Sequence, residues 1–190
     1  VLGVDCHVDW GIGVRVLYDG AWGFASNPDL DDPERMFKTV QRAVDLAKAS
    51  AKVNSSIVKL VDKPKVTDNW SSLFHRDPFE IDLEQKLRLL IDCGNVMSMV
   101  DGVCITKGSM DFMREKRFYM DTEGSEIEQK VLQSGAGISC MSLNGNEVHS
   151  RSYPSSFRGN HQMGGYEVIE SMHLRERAPK LASEVVQLHK

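Results

Sequence analysis

The sequence has few cysteines, and none of them is arranged as a metal-binding or redox pair. Its 190 residues contain four, all far apart, and no C-x-x-C spacing occurs. That spacing is the usual sequence signature of a zinc or thiol redox site. In a chain without a secretory signal pattern, scattered cysteines are typically buried and reduced. We therefore expect a cytoplasmic protein without disulfides. The four are Cys6, Cys93, Cys104 and Cys140.

Long apolar runs and an excess of positive charge are also missing. No stretch approaches the ~20 apolar residues that a membrane-spanning helix needs. The formal net charge is −4, whereas nucleic-acid binding requires a clustered basic surface. These absences predict a globular protein whose partners are neither membranes nor nucleic acids.

Familiar catalytic and cofactor motifs are absent as well. The glycines of Gly11-Ile12-Gly13 begin a G-x-G-x-x-G pattern, but Val16 stands where the third glycine belongs. No G-x-S-x-G elbow surrounds Ser109 or Ser125, although both follow a glycine. The acidic segment 123–129 lacks the ligand spacing of a calcium loop, so we interpret it as a tight turn between strands.

Six histidines are the candidate bases and metal ligands. The H-E-x-x-H motif is missing, and the E-x-x-H of Glu170 and His173 occurs once, whereas carboxylate-bridged metal helices need two copies. Cys6 and His7 are neighbours on a strand-like segment and would point to opposite faces. The residues alone therefore predict no catalytic, cofactor-binding or metal-binding site within the chain. The six are His7, His75, His149, His161, His173 and His189.

Asp19-Gly20 predicts a β-hairpin with a two-residue turn, because both central positions of a type I′ turn need positive φ. The register would place Arg15 opposite Phe24, with the guanidinium on the ring. Apolar bulk on both faces predicts a hairpin covered on both sides. Trp22 would then be buried, and its replacement by Ala would cost about 3–5 kcal/mol. The predicted pairs are Tyr18–Ala21, Val16–Gly23, Val14–Ala25, Leu17–Trp22 and Arg15–Phe24.

The rest of the chain predicts an α+β fold of antiparallel sheets, each covered by helices, in two sheet-plus-helix units. The first would occupy residues 1–52 and the second 79–190, with 53–78 as a connector that holds one short strand at most. Three helices are predicted. The first begins at Asp32-Pro33, and the second begins at Asp82 and ends at Gly94. The third begins at Tyr166 and is interrupted at Pro179. Strands are predicted over residues 96–106, 117–122, 127–142 and 147–153. A turn at Asn144-Gly145 would pair Leu143 with Asn146. Residues 152–165 are predicted to form a mobile loop.

Several segments of the chain form a recognisable set: "GVRVLYDGAWGFAS" with the following Pro33 helix, "DPFEIDLEQK" from Asp77, "MDTEGSEIEQ" from Met120, and Gly164-Gly165-Tyr166-Glu167 before a long helix. Together they resemble the TldD/PmbA family, bacterial and archaeal zinc metallopeptidases long labelled modulators of DNA gyrase. The wording "DGAWGFA" is more similar to the TldD branch than to the PmbA branch. The resemblance extends over nearly the whole chain.

The resemblance implies the N-terminal and central domains of a TldD-type metallopeptidase that hydrolyses peptides or unfolded proteins. It also implies zinc held by an H-E-x-x-x-H helix and a cysteine in a C-terminal domain that this sequence lacks. The chain would shape the substrate chamber and form contacts in a homodimer, or in a heterodimer with a PmbA-type subunit. The alternative is a non-catalytic interaction module of the gyrase-modulator type.

Two further expectations concern this chain by itself. It begins at Val1 in a strand-like alternation and ends at Lys190 in a helical pattern, which predicts a fragment of a longer protein. Such a fragment would be inactive and would bind no stoichiometric zinc, because no two of its possible ligands share a local motif. The small residues between Ile127 and Tyr153 predict an exposed strand edge that could hold an extended substrate.

Overall fold

The computed structural model describes residues 3–155 and 159–189. The described chain forms two compact units, divided between Pro64 and Lys65, and each is described by itself. Residues 3–11, which alternate like a strand in sequence, form neither strand nor helix.

The first unit begins with the predicted hairpin. Strands β1 (Ile12–Tyr18) and β2 (Ala21–Asn27) are antiparallel, and every pair in their register is the predicted one. Asp19 and Gly20 have φ values of 46° and 72°, as a type I′ turn requires. The Asp-Gly signal therefore determined both the turn and the register.

Helix α1 (Pro33–Ala51) covers one face of this hairpin. Asp32 caps it by accepting hydrogen bonds from the backbone N–H groups of Glu34 and Arg35. The helix packs on the hairpin face that carries the small residues of β2. The contact is close, since a Cβ on Gly23 would fall 2.1 Å from the carbonyl oxygen of Ala43. The buried residues of this contact are Ala21, Ala25, Thr39, Ala43 and Ala47.

The prediction that both hairpin faces are covered is wrong for the described residues. Phe24 is 58% exposed and Trp22 is only half-buried. Arg15 stacks on the ring of Trp22, 4.1 Å from its centroid, and not on Phe24 as predicted. Two exposed aromatic side chains can accept one guanidinium, and it lies on the larger indole ring. The loss on replacing Trp22 by Ala should therefore fall below the range for a core residue.

The second unit is built around a five-stranded mixed sheet. Its central strand is β5 (Glu126–Asn144), which pairs along one edge with the long antiparallel strand β4 (Val103–Met120). The other edge of β5 pairs in turn with three short strands: β3 (Thr67–Ser71), which is parallel, β7 (Asn160–Met163) and β6 (Glu147–Tyr153), which are antiparallel.

Both edges of β5 are thus occupied, so the expected free edge within 127–153 is not on β5. Among the described residues, the long strand with one unpaired edge is β4. The predicted loop over 152–165 is also wrong in part, since residues 160–163 form β7; residues 156–158 lie outside the described part of the chain.

Three helices pack on one face of this sheet: α2 (Leu83–Ser98), α3 (Glu167–Ser171) and α4 (Leu174–Gln187). The core lies between these helices and the even-numbered side chains of β5. Its buried members include Cys93, Met97, Ala136, Ile138, Cys140, Tyr166, Ile169, Leu174, Ala178, Leu181, Ala182 and Val185.

Two predicted helix boundaries are wrong. Gly94 does not end α2, because the helix continues to Ser98 and buries both Cys93 and Met97 completely; this burial outweighs the ~1 kcal/mol that glycine costs in a helix. The last helix is interrupted at His173, whose φ is 50°, and not at Pro179, which lies inside α4.

Two predicted strand boundaries also differ. The predicted strands over 96–106 and 117–122 form one continuous strand, β4, which begins only at Val103. The β5–β6 turn places Asn144 opposite Glu147, so its central residues are Gly145 and Asn146. Leu143 therefore lies opposite Val148, two residues beyond the predicted partner Asn146. The α+β class itself is confirmed, since the described residues form four helices and both antiparallel and mixed sheets. Among the described residues, no helix is long and apolar enough to cross a membrane.

The contact between Gly23 and α1 gives a testable consequence. Replacing Gly23 by Ala should destabilise the first unit by about 3 kcal/mol, because the added methyl group would meet helix backbone that cannot rotate away. Urea unfolding followed by tryptophan fluorescence measures the loss.

Gly13 is the matched control on the same hairpin. A Cβ there would meet only the exposed ring of Phe24, at 3.2 Å, and that ring can turn aside. We expect Gly13→Ala to cost less than about 1 kcal/mol. Equal losses for the two variants would show that the close helix contact is not what makes Gly23 necessary.

Candidate functional site

The Gly164-Gly165-Tyr166-Glu167 segment lies against the residues that immediately precede the DPF segment. The backbone N–H of Tyr166 donates to the carbonyl oxygen of Arg76 at 2.7 Å. A Cβ on Gly165 would fall 2.1 Å from that same oxygen, so only glycine allows this approach. The glycine pair thus joins the start of α3 to the segment before Asp77.

Glu167 holds this junction through three backbone donors. Its carboxylate accepts hydrogen bonds from the N–H groups of His75, Arg76 and Gly165, at 3.2, 3.1 and 2.8 Å. Burial raises the pKa of Glu167, but the backbone hydrogen bonds outweigh it and the net pKa lies below its usual value. The charged carboxylate is therefore a structural clamp.

The DPF segment forms a second fixed point. Asp77 accepts the backbone N–H of Phe79 at 2.9 Å and pairs with Arg114 of β4, while Pro78 is fully buried. The Arg114 guanidinium lies 4.6 Å from the centroid of the Phe79 ring. This carboxylate is engaged by structural partners, so the motif positions α2 against the sheet.

The EGSEIEQ segment forms the predicted tight turn. Asp121 accepts the backbone N–H groups of Glu123 and Ser125 at 3.0 Å each, and Gly124 has a φ of +93°. Ser125 is 2% exposed, and its hydroxyl accepts the N–H of Val66. It is a structural residue and not a nucleophile.

The E-x-x-H residues do not meet. Glu170 pairs with Arg76, whereas Nδ1 of His173 lies 3.7 Å from a carboxylate oxygen of Glu176. His7 is exposed in the first unit. None of these three forms a cluster of three or more metal-binding side chains within the described residues.

The structure does bring together Glu147, His149 and His189. One donor atom from each lies within 4.8 Å of the others. An oxygen of Glu147 is 3.9 Å from Nδ1 of His189 and 4.0 Å from Nε2 of His149, and the two imidazole rings meet edge to face at 4.5 Å. The E-x-H spacing on a strand could have indicated the first two residues, but nothing local connects them to His189.

Ser142 supports this cluster from β5. Its hydroxyl is 2.5 Å from Nε2 of His189, and the serine is 1% exposed. The His189 side chain is 7% exposed, and its Nδ1 has no hydrogen-bond partner. A buried polar atom without a partner is unusual in a folded protein.

His161 and Asp111 form a second group of titratable side chains, on the sheet face away from the helices. His161 of β7 sits over Gly135, where a Cβ would meet the imidazole at 2.1 Å, and its Nε2 is 3.7 Å from an oxygen of Asp111 on β4. The three residues form one row across three strands. This face lies opposite the one on which α2, α3 and α4 pack among the described residues.

The buried cysteines do not match the ligand set that the resemblance implies. Burial raises the pKa of Cys93 to about 11, with Asp92 adding to the effect, and burial likewise raises that of Cys140 to about 11. Both are therefore thiols in the core of this structure. The H-E-x-x-x-H sequence that the resemblance implies does not occur in this chain.

Comparison with known proteins finds similarity to metallopeptidases. Residues 3–47 match the model of PmbA/TldA metallopeptidase domain 1. The chain is 27% identical over 165 residues to Metalloprotease MJ0996 of Methanocaldococcus jannaschii, covering 86% of the chain and 35% of that protein. It is 25% identical over 183 residues to a metalloprotease of Methanothermobacter thermautotrophicus, and this alignment covers 95% of the chain and 37% of that protein. The chain thus spans about a third of the length of these relatives.

Two solved structures share the fold. One, from Thermotoga maritima and described as a modulator of a DNA gyrase, has a TM-score of 0.63 at 14% identity, over 93% of this chain and 37% of that one. The other is TldE from Thermococcus kodakarensis, with a TM-score of 0.53 at 14% identity, over 94% and 41%. Together, the matches confirm the resemblance to the TldD/PmbA family that the motifs indicate.

The Glu167 clamp predicts a pH-dependent stability difference. Because its pKa is lowered on folding, Glu167 stabilises the fold above the unfolded value near 4.5, and this contribution is lost as the pH falls through the folded value. At pH 7, Glu167→Gln should cost about 1 kcal/mol, since the carboxylate is partly exposed. Urea unfolding of both proteins from pH 7 to pH 3 measures the difference.

The difference between the two proteins should shrink as the pH falls below 4.5 toward the lowered folded-state pKa of Glu167. Glu176→Gln is the control, because the Glu176 side chain is exposed and its carboxylate lies beside the exposed His173. A Glu167→Gln loss that stays constant down to pH 3 would contradict the charge-based clamp.

Proposed function

We propose that this chain is the N-terminal and central part of a TldD-type metalloprotease that hydrolyses peptides or unfolded proteins. The observation that carries the proposal is the match of residues 3–47 to a metallopeptidase domain, together with relatives named metalloproteases that align over most of the chain. Within the whole enzyme, the chain shapes the substrate chamber and takes part in dimer contacts.

The proposed domain boundaries are those predicted from the sequence. Residues 1–52 are proposed as the N-terminal domain, 53–78 as a connector and 79–190 as the central domain. The catalytic zinc and its ligands are proposed to lie outside this chain, since the H-E-x-x-x-H motif is absent from its sequence. The active protein is proposed to be cytoplasmic and dimeric, either with itself or with a PmbA-type subunit.

The β4 strand is the proposed place of substrate contact. Its 18 residues pair with β5 on one edge only, within the described chain. An extended peptide can add to such an edge through backbone hydrogen bonds. Because these bonds involve only the backbone, peptides with many different side chains can bind in this way. Exposed Met113 and Phe118 on this strand offer apolar contact to an unfolded segment.

Zinc content and peptidase activity test the proposal. Protein expressed from the complete reading frame should contain zinc and cleave unfolded casein, whereas the 190-residue chain should be inactive. Zinc-free protein that cleaves nothing but retains a protein partner would instead support the interaction-module alternative, the role named for the gyrase-modulator neighbour.

Hydrogen exchange tests the β4 edge separately. A saturating, uncleaved peptide should slow exchange of outward-facing amides in β4 and leave α1 unchanged. The same peptide with alternate backbone nitrogens methylated is the matched control, because it loses hydrogen-bond donors while keeping its side chains. If both peptides protect β4 equally, or neither does, the substrate does not bind by strand addition there.

A further inference from the structure

We propose that Glu147, His149 and His189 bind one divalent transition-metal ion of the zinc class. This site is separate from the zinc site that the family resemblance implies, and it does not depend on the proposed peptidase role. It also departs from the expectation that no two ligands of this chain share a motif, because Glu147 and His149 share one face of β6.

The fold places all three side chains on the helix side of the sheet. Residues two apart on a strand point to the same face, so Glu147 and His149 of β6 both face α4. His189 follows α4 by two residues, and its N–H donates to the carbonyl of Val186 at 3.3 Å. Strand pairing and helix packing therefore fix the two backbones that carry the ligands.

The unpartnered nitrogen of His189 indicates that something is missing from the cluster. In the tautomer that this site requires, Nε2 donates to the Ser142 hydroxyl 2.5 Å away, and Nδ1 carries a lone pair 3.9 Å from a carboxylate oxygen of Glu147. Histidine ligands typically donate their second ring N–H to an oxygen in this way, which fixes the tautomer that binds metal. A metal ion would satisfy the one buried nitrogen that finds no hydrogen bond among the described residues.

The donor set and its spacing suit such an ion. Two imidazole nitrogens and a carboxylate oxygen are ligands that zinc, nickel and copper accept. Ligand atoms about 2.1 Å from a tetrahedral ion lie roughly 3.4 Å apart, slightly closer than the 3.9 and 4.0 Å found here. The Glu147 side chain is 72% exposed and can rotate inward. Three protein ligands leave one position for water or another group.

A positive charge on the same face of β6 is engaged by a different carboxylate. Arg151, two residues beyond His149, pairs with Glu184 of α4 at 2.8 Å, and this hydrogen bond lowers the pKa of Glu184. The alternative role for the cluster is a plain ion pair between Glu147 and protonated His189. That arrangement would leave His149 without a function and would take up no metal.

Cobalt and zinc titrations of the 190-residue chain test the proposal. We expect one Co²⁺ per chain with the intense visible absorption of a tetrahedral site, displaced by Zn²⁺, and a rise in the thermal midpoint with added Zn²⁺. His149→Gln and Glu147→Gln alter partly exposed residues, and each should weaken Zn²⁺ binding at least tenfold by calorimetry. Ser142→Ala should weaken it about tenfold, because the supporting hydrogen bond is lost.

His173→Gln is the matched control, because this exposed histidine also lies beside a glutamate. It should leave the Co²⁺ spectrum and the Zn²⁺ affinity unchanged. The proposal is overturned if the chain takes up no metal, if uptake survives both His149→Gln and Glu147→Gln, or if His173→Gln reduces it equally. His189→Gln provides a further check, with circular dichroism to verify folding.

Discussion

The packing of the helices on one face of β5 is the interaction on which the second unit depends. Every other strand of the sheet pairs with β5, and its even-numbered side chains form the floor of the core. Ser134, Ala136 and Ser142 are small and at most 1% exposed, so the helices approach the sheet closely. The two serine hydroxyls stay satisfied by bonding Gly164 and His189. Apolar burial and these hydrogen bonds together fix where α3 and the end of α4 lie.

The features predicted correctly from the sequence are those that a few neighbouring residues determine. Asp19-Gly20 specified the hairpin register, and Asp32-Pro33 specified the start of α1. The errors lie where distant contacts outweigh local preference. Glycine often ends a helix, yet α2 continues past Gly94. Cys93 and Met97 on either side of it are completely buried, and their burial stabilises the continued helix. The strand β7 has little local strand character and exists because β5 offers it an edge.

The same distinction applies to the sites. The family motifs could be recognised from sequence, and the structure shows that they are structural anchors: Glu167 collects backbone donors and Asp77 holds Phe79 and Arg114. The Glu147–His149–His189 cluster could not be found in the same way. Its third member is 40 residues along the chain from His149, and only the packing of α4 on the sheet brings it near.

The pairing of β5 with four strands constrains how this chain can change length. Three short strands take their register from successive parts of one edge of β5, while β4 runs along the other. Inserting one residue within β5 would reverse the faces of all side chains beyond it and displace several partners at once. An insertion at the Gly145-Asn146 turn would alter only a loop tip. Length differences among relatives should therefore concentrate at the turns that border β5, whereas the strand itself keeps a constant length.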